Sequence, residues 1–198
     1  MSTFANPLRY STESWRLPYR GRVGMGCLII AESAIFTIFV VAYLFYAGKS
    51  LSGPTPKEVL ETPIFYTICL LSSSLTIHFA GKLLERGRRM AFLAFWLLTL
   101  ILGALFLYGT AQEWHRLIYD DGLTISTNLF GTTYYSLVGL HAFHVTAGLI
   151  AILTVAVLAV LRKVEPEHHE KLDVFSLYWH FVDVVWVIVF TVVYIIGR

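Results

Sequence analysis

The chain is 198 residues long, 57% hydrophobic and only 14% charged, with a formal net charge of +2 and a mean hydropathy of +0.67. Soluble domains carry about 25% charged residues, so the composition excludes an ordinary water-covered globule. The near-neutral charge gives no sign of a nucleic-acid surface. With no long polar block, residues 22–198 read as a single all-α integral membrane domain, a bundle of five transmembrane helices.

In chain order, residues 1–21 form a polar segment that lacks the apolar core and small-residue cleavage site of a secretory signal peptide. The first apolar stretch, 23–46, exceeds the roughly 20 residues that cross a bilayer. It carries Glu32 ten residues past Arg22, about 15 Å along the axis and so near mid-bilayer. Gly53-Pro54-Thr55-Pro56 separates it from the second span, 63–84, which holds Ser72, Ser73, Ser74, Thr76 and His78. Small hydroxyl residues let helices approach closely and bond across the interface. Arg86-Gly87-Arg88-Arg89 precedes the third span, 90–111, which ends in Gln112-Glu113-Trp114. After Asp120-Asp121-Gly122 comes a fourth, 130–161, longer than a span requires and expected to tilt or project. It carries His141 and His144 one turn apart, framed by Gly139 and Gly148. The loop Glu165-Pro166-Glu167-His168-His169-Glu170 leads to the fifth, 174–196, with His180 and Asp183 three apart on one face. Cys27 and Cys69 lie in apolar segments and read as small packing residues rather than as a disulfide.

Lys and Arg asymmetry sets the expected topology. Arg9, Arg16, Arg20 and Arg22, then Lys82, Arg86, Arg88 and Arg89, then Arg162, Lys163 and Lys171 fall on one side. Only Lys49, Lys57, Arg116 and Arg198 remain for the other. The N-terminus, including the polar segment, is therefore expected in the cytoplasm and the C-terminus outside. Trp15, Tyr19, Trp114, Tyr119, Tyr178 and Tyr194 sit near span ends, as an interfacial aromatic belt does. Arg86, Arg88 and Arg89 fix topology and are candidates for anionic headgroup contacts. No internal repeat is visible, which argues against inverted-repeat transporters.

Ionisable groups inside a bilayer are costly unless paired. Glu32 is either a neutral buried acid or a proton-relay or partner-facing group, and the residues leave both readings open. His141 and His144 have the spacing of metal ligands. No second close ligand pair accompanies them, which favours neutral histidines bonded to neighbouring helices or headgroups. His168 and His169 lie some 24 residues along the helix from His144, tens of ångströms away at about 1.5 Å per residue. That defeats a di-iron cluster. His144 with His180 is the one plausible pair for a bis-histidine haem, and the reading disfavours it. His180 and Asp183 should face other helices, where a side chain or a lipid headgroup satisfies them. No catalytic, cofactor or metal site is expected in this chain.

Two motifs call for a family. Gly139-Leu140-His141-Ala142-Phe143-His144-Val145-Thr146-Ala147-Gly148 resembles the Gly-x-His-x-x-His-Val-x-x-Gly hallmark of haem-copper oxidase subunit III. Tyr178-Trp179-His180-Phe181-Val182-Asp183-Val184-Val185-Trp186 resembles its second hallmark. Arg22 to Ser33 is similar, less closely, to the segment carrying that family's buried carboxylate, here Glu32. The long form of the family has two further helices ahead of Arg22; this chain resembles the five-span form of bacterial cytochrome c and quinol oxidases. The resemblance implies a non-catalytic core subunit of a proton-pumping terminal respiratory oxidase in the bacterial inner membrane. Haem and copper would belong to subunits I and II. This chain would pack mainly on subunit I, with subunits II and IV as further partners, bind phospholipid, and support proton uptake and durable turnover. Cytochrome c is the favoured donor, with the quinol oxidase subunit as the alternative. A nitric oxide reductase accessory protein and a small proton-coupled transporter rank below these.

Overall fold

In hydrocarbon every backbone N–H and C=O must be paired within the protein, and a helix does this alone. The computed structural model describes residues 20–50 and 52–197 and turns each apolar stretch into a helix. Residues 1–19, with Arg9, Trp15, Arg16 and Tyr19, and Arg198 fall outside the described residues. The elements are α1 (Arg20–Tyr46), a single turn α2 (Pro56–Val59), α3 (Ile64–Glu85), α4 (Arg89–Tyr119), α5 (Leu129–Val160) and α6 (His169–Phe190). A 3₁₀ turn, Pro166–His168, precedes α6, and a π-helical turn, Thr191–Ile196, follows it. Five of these helices are long and apolar enough to cross a membrane, and no strand occurs among the described residues.

Three boundaries differ from expectation. Helix α4 runs to Tyr119 rather than stopping near 111, so Glu113 is inside a continuous helix. Nothing between Leu105 and Tyr119 breaks a helix; the chain turns only at Asp120-Asp121-Gly122, where Gly122 has φ +66°. Helix α6 begins at His169, so this histidine opens a helix rather than lying in a loop. The last turn of the fifth span is π rather than α, closed by the Gly197 N–H donating to the Val192 C=O at 2.9 Å. Helix α5 is long as expected: its 32 residues cover about 48 Å, more than the roughly 30 Å hydrocarbon core.

Helix α6 packs against α1, α3 and α5, and α3 runs along α4. The α3–α6 contact is a polar seam. Trp179 Nε1–H donates to Ser73 Oγ at 2.8 Å, and Trp186 Nε1–H donates to Thr67 Oγ1 at 3.2 Å. Ser74 Oγ meets His180 Nδ1 at 2.5 Å, and Thr76 Oγ1 meets Thr99 Oγ1 of α4 at 2.7 Å. The hydroxyl cluster therefore bonds across helices, as its residue types suggested. Trp179 is fully buried. A Cβ on Gly148 would lie 2.8 Å from its ring and one on Gly103 2.9 Å, so α4 and α5 reach this indole only because both positions lack a side chain. Cys69 is buried, whereas Cys27 is exposed and does not act as a packing residue within this chain.

The loops tie the ends. Arg22 pairs with Asp173 at 2.6 Å across α1 and α6, and Arg116 with Glu61 at 2.8 Å. Asn128 caps α5 by accepting from the Gly131 N–H at 2.8 Å, while its Nδ2 donates to the Ser52 and Pro54 carbonyls.

Candidate functional site

Glu32 and His144 come together. They lie on α1 and α5, and Glu32 Oε2 is 3.1 Å from His144 Nε2. His144 Nδ1 is 2.8 Å from the Leu140 C=O. A carbonyl only accepts, so Nδ1 carries a proton. A hydrogen bond across Nε2 and Oε2 then needs a proton on one of these two atoms. Tyr178 Oη–H of α6 donates to the His144 C=O at 3.2 Å, and Phe36 packs its ring 4.9 Å from that of His144. No Lys or Arg lies within a turn of Glu32 on α1, but the carboxyl meets an ionisable partner from α5. The His144 side chain is 8% exposed and that of Glu32 23%, so the pair lies at the rim of the bundle.

His141, one turn before His144, behaves differently. It is fully buried and neither ring nitrogen has a hydrogen-bond partner among the described residues. Its imidazole stacks on Trp186 at 4.9 Å and 29°, with Phe106 edge-on at 5.7 Å. It is held by aromatic rings, not by the helix or headgroup bonds expected from the sequence. A ring so placed fits a neutral imidazole, since an imidazolium would need donors satisfied.

His180 and Asp183 face the bundle, as their spacing suggested, but only one is paired. His180 bonds Ser74 and lies 6.4 Å, ring to ring, from the exposed His78. Asp183 is 4% exposed, and neither oxygen has a hydrogen-bond partner among the described residues. The Ser74 hydroxyl, on the facing helix, is engaged by His180. His144 and His180 therefore have separate partners, Glu32 and Ser74. No group of three or more His, Cys, Asp or Glu among the described residues could hold a metal ion. Arg86, Arg88 and Arg89 are all exposed at the α3–α4 turn, where Gly87 takes φ +69°.

A second polar cluster was not foreseen. Tyr194 Oη–H, from the π turn, donates to both oxygens of Glu113, at 3.1 and 2.9 Å. Tyr134 Oη of α5 lies 3.4 Å from Tyr194 Oη. Trp114, Tyr178 and Tyr194 all face protein: Tyr194 is 3% exposed, Trp114 packs on Tyr135, and Tyr178 lies away from the span ends, where it bonds the mid-span His144 C=O. Tyr119 alone of the described belt residues is mostly exposed. The signal available in the sequence was Glu113 itself, an acid in a helix with no breaker for six residues beyond it.

Comparison with known proteins identifies the family. The family model for cytochrome c oxidase subunit III matches residues 19–198. Cytochrome c oxidase subunit 3 of Alkalihalophilus pseudofirmus is 33% identical over 177 residues, covering 88% of this chain and 86% of the relative. The protein of the same name from Synechocystis is 38% identical, covering 87% and 74%. Quinol oxidase subunit 3 of Bacillus subtilis is 31% identical, covering 96% and 93%. The chain belongs to the cytochrome c oxidase subunit III family, the haem-copper oxidase subunit that the two motifs had suggested.

Proposed function

We propose that, within this family, the chain is a non-catalytic core subunit of a proton-pumping terminal oxidase of the cytochrome c type. In this reading it packs mainly on subunit I, meets subunits II and IV, binds phospholipid, and supports proton uptake and durable turnover. Haem and copper reside in subunits I and II, and the complex serves aerobic electron transport in the bacterial plasma membrane.

The observation that carries the reading is the Glu32–His144 contact at 3.1 Å. Helix α1 buries only Phe36 and Tyr43 in this chain, so most of its surface awaits another subunit or lipid. A carboxyl fixed by an imidazole at mid-span gives that bare helix one oriented polar point beside the face a partner would cover. Cations gather at the end that holds Arg22, Arg86, Arg88, Arg89 and Lys163, which supports a cytoplasmic N-terminus and headgroup contacts for the three arginines of the α3–α4 turn. Quinol is the second reading for the donor, favoured by the Bacillus subtilis relative matched over 96% of this chain.

Purifying the native complex and recording its optical spectrum with a subunit mass inventory tests this. Haem a bands with co-purifying subunits I and II are expected. Haem b or o with quinol turnover would move the chain to the second reading, and no haem-bearing partner would defeat both.

A further inference from the structure

We propose that Glu113, with Tyr194 and Tyr134, forms a proton-binding site that exchanges with the aqueous phase at the Arg116 end of the bundle. Three helical elements build it. Glu113 comes from α4, Tyr134 from α5, and Tyr194 from the π turn after α6. One hydroxyl facing both carboxyl oxygens at 3.1 and 2.9 Å is the arrangement of an ionised carboxylate accepting a single donor. π turns are rare and concentrate at functional sites. Here the wider turn carries the residue that holds the acid.

The other side of Glu113 is open. A cavity of about 320 Å³ is lined by Glu61, Tyr66, Gln112, Glu113 and Arg116, with room for several waters. The charged and titratable groups around the carboxyl are Arg116 on its own helix, Glu61 from the α2–α3 loop, Tyr134 and Tyr135 from α5, and Tyr194. On α3, Tyr66 Oη–H donates to Gln112 at 2.9 Å. Arg116 is engaged by Glu61 at 2.8 Å and by the Val59 C=O at 2.9 Å, so no cation is locked onto Glu113. The acid therefore has a water route on one side and a hydroxyl on the other.

A proton arriving through the cavity binds one carboxyl oxygen. Glu113 then donates to the Tyr194 oxygen or to a cavity water, and release reverses the step with no other bond formed or broken. Beyond Tyr194 the hydroxyls end, among the described residues, at Tyr134. The one hydrogen bond that Tyr134 Oη makes among the described residues is to Tyr194 Oη. The site thus binds and releases one proton at this end of the bundle.

Infrared difference spectra of the full chain in lipid nanodiscs, taken across a pH series, test the assignment. The parent should show a protonated-carboxyl band that is lost in Glu113→Gln. Tyr194→Phe should keep the band, shift its frequency, and bind the proton about tenfold more tightly, because a donor to the carboxylate is gone. Identical carboxyl bands in the parent and Glu113→Gln would overturn the proposal. So would a Tyr194→Phe protein that titrates as the parent does, which would leave Glu113 an ordinary surface acid. The Tyr194→Phe comparison stands even if Glu113→Gln fails to fold.

Discussion

Along α1 only Phe36 and Tyr43 are buried, whereas α6 buries Leu172, Trp179, Val182, Asp183, Val185, Trp186 and Val189. Both helices are apolar, both carry an acid, and both are long enough to span. They differ in how polar groups are used. Helix α6 is bonded to α3 at Trp179, His180 and Trp186, and it fills the space left by two glycines. Helix α1 packs Phe36 and Tyr43 into the bundle, but its polar ties are one mid-span contact, Glu32–His144, and one terminal ion pair, Arg22–Asp173. Water-driven burial is absent between helices in lipid, so close packing and interhelical hydrogen bonds carry association. By that measure α6 is the core of the fold and α1 its detachable edge, the surface left for other subunits or lipid.

The largest effect should therefore come from α6. Trp179→Ala removes a fully buried indole and its bond to Ser73, and should cost about 3–5 kcal/mol, read as a loss of folded protein in denaturant titrations of detergent-solubilised chain. Gly148→Ala acts on the same contact from the other side. Its Cβ would stand 2.8 Å from the Trp179 ring, an overpacking of about 1–3 kcal/mol. Gly139 is the control, since a Cβ there meets Trp114 at an ordinary 3.6 Å. Gly139→Ala should be neutral or slightly stabilising, because Ala is the better helix former. Equal losses at the two glycines would break the assignment of α6 as core.

On α1 the mid-span contact comes next. Glu32→Ala leaves His144 Nε2 without its partner, which should cost about 1–3 kcal/mol and loosen α1. Glu32→Gln offers an amide N–H to the same nitrogen and should assemble normally. In the purified complex, subunit retention and oxygen consumption through sustained turnover separate the two. If Ala and Gln both match the parent, Glu32 is a passive acid and α1 is held by something other than this contact.

The sequence made the five spans legible because apolar length in a bilayer has few solutions. Span ends were less so. Glu113 looked like the boundary of the third span because charge usually marks one, yet α4 continues to Tyr119 and the acid turns to Tyr194. That pairing joins residues 81 apart, and a π turn sets it, which no local pattern announces. Glu32 and His144 were both singled out, but their union spans 112 residues and depends on α1 lying against α5. His141 and His144 share a motif and a helix face, and the fold separates them: one stacks among aromatic rings, the other bonds an acid. Spacing identified which residues were unusual; only packing decided which of them met.

The smallest effect should come from the terminal tie of α1. Arg22 and Asp173 approach to 2.6 Å, but their side chains are 52% and 35% exposed. Exposed pairs of this kind measure about 0.2–1 kcal/mol, because water screens the charges and two long side chains must be ordered. Salt weakens them further, with a Debye length of about 8 Å at physiological ionic strength. A double-mutant cycle with Arg22→Gln and Asp173→Asn, run at low and high salt, should give a coupling below that of Glu32 with His144 and one that fades as salt rises. The buried contact should keep its coupling at both salt levels. Should the terminal pair prove the stronger and salt-insensitive of the two, α1 is anchored at its end rather than at mid-span. Glu32 would then be free to move with the surface of whatever covers it, and the rigid polar point from which the docking role of α1 was argued would not exist.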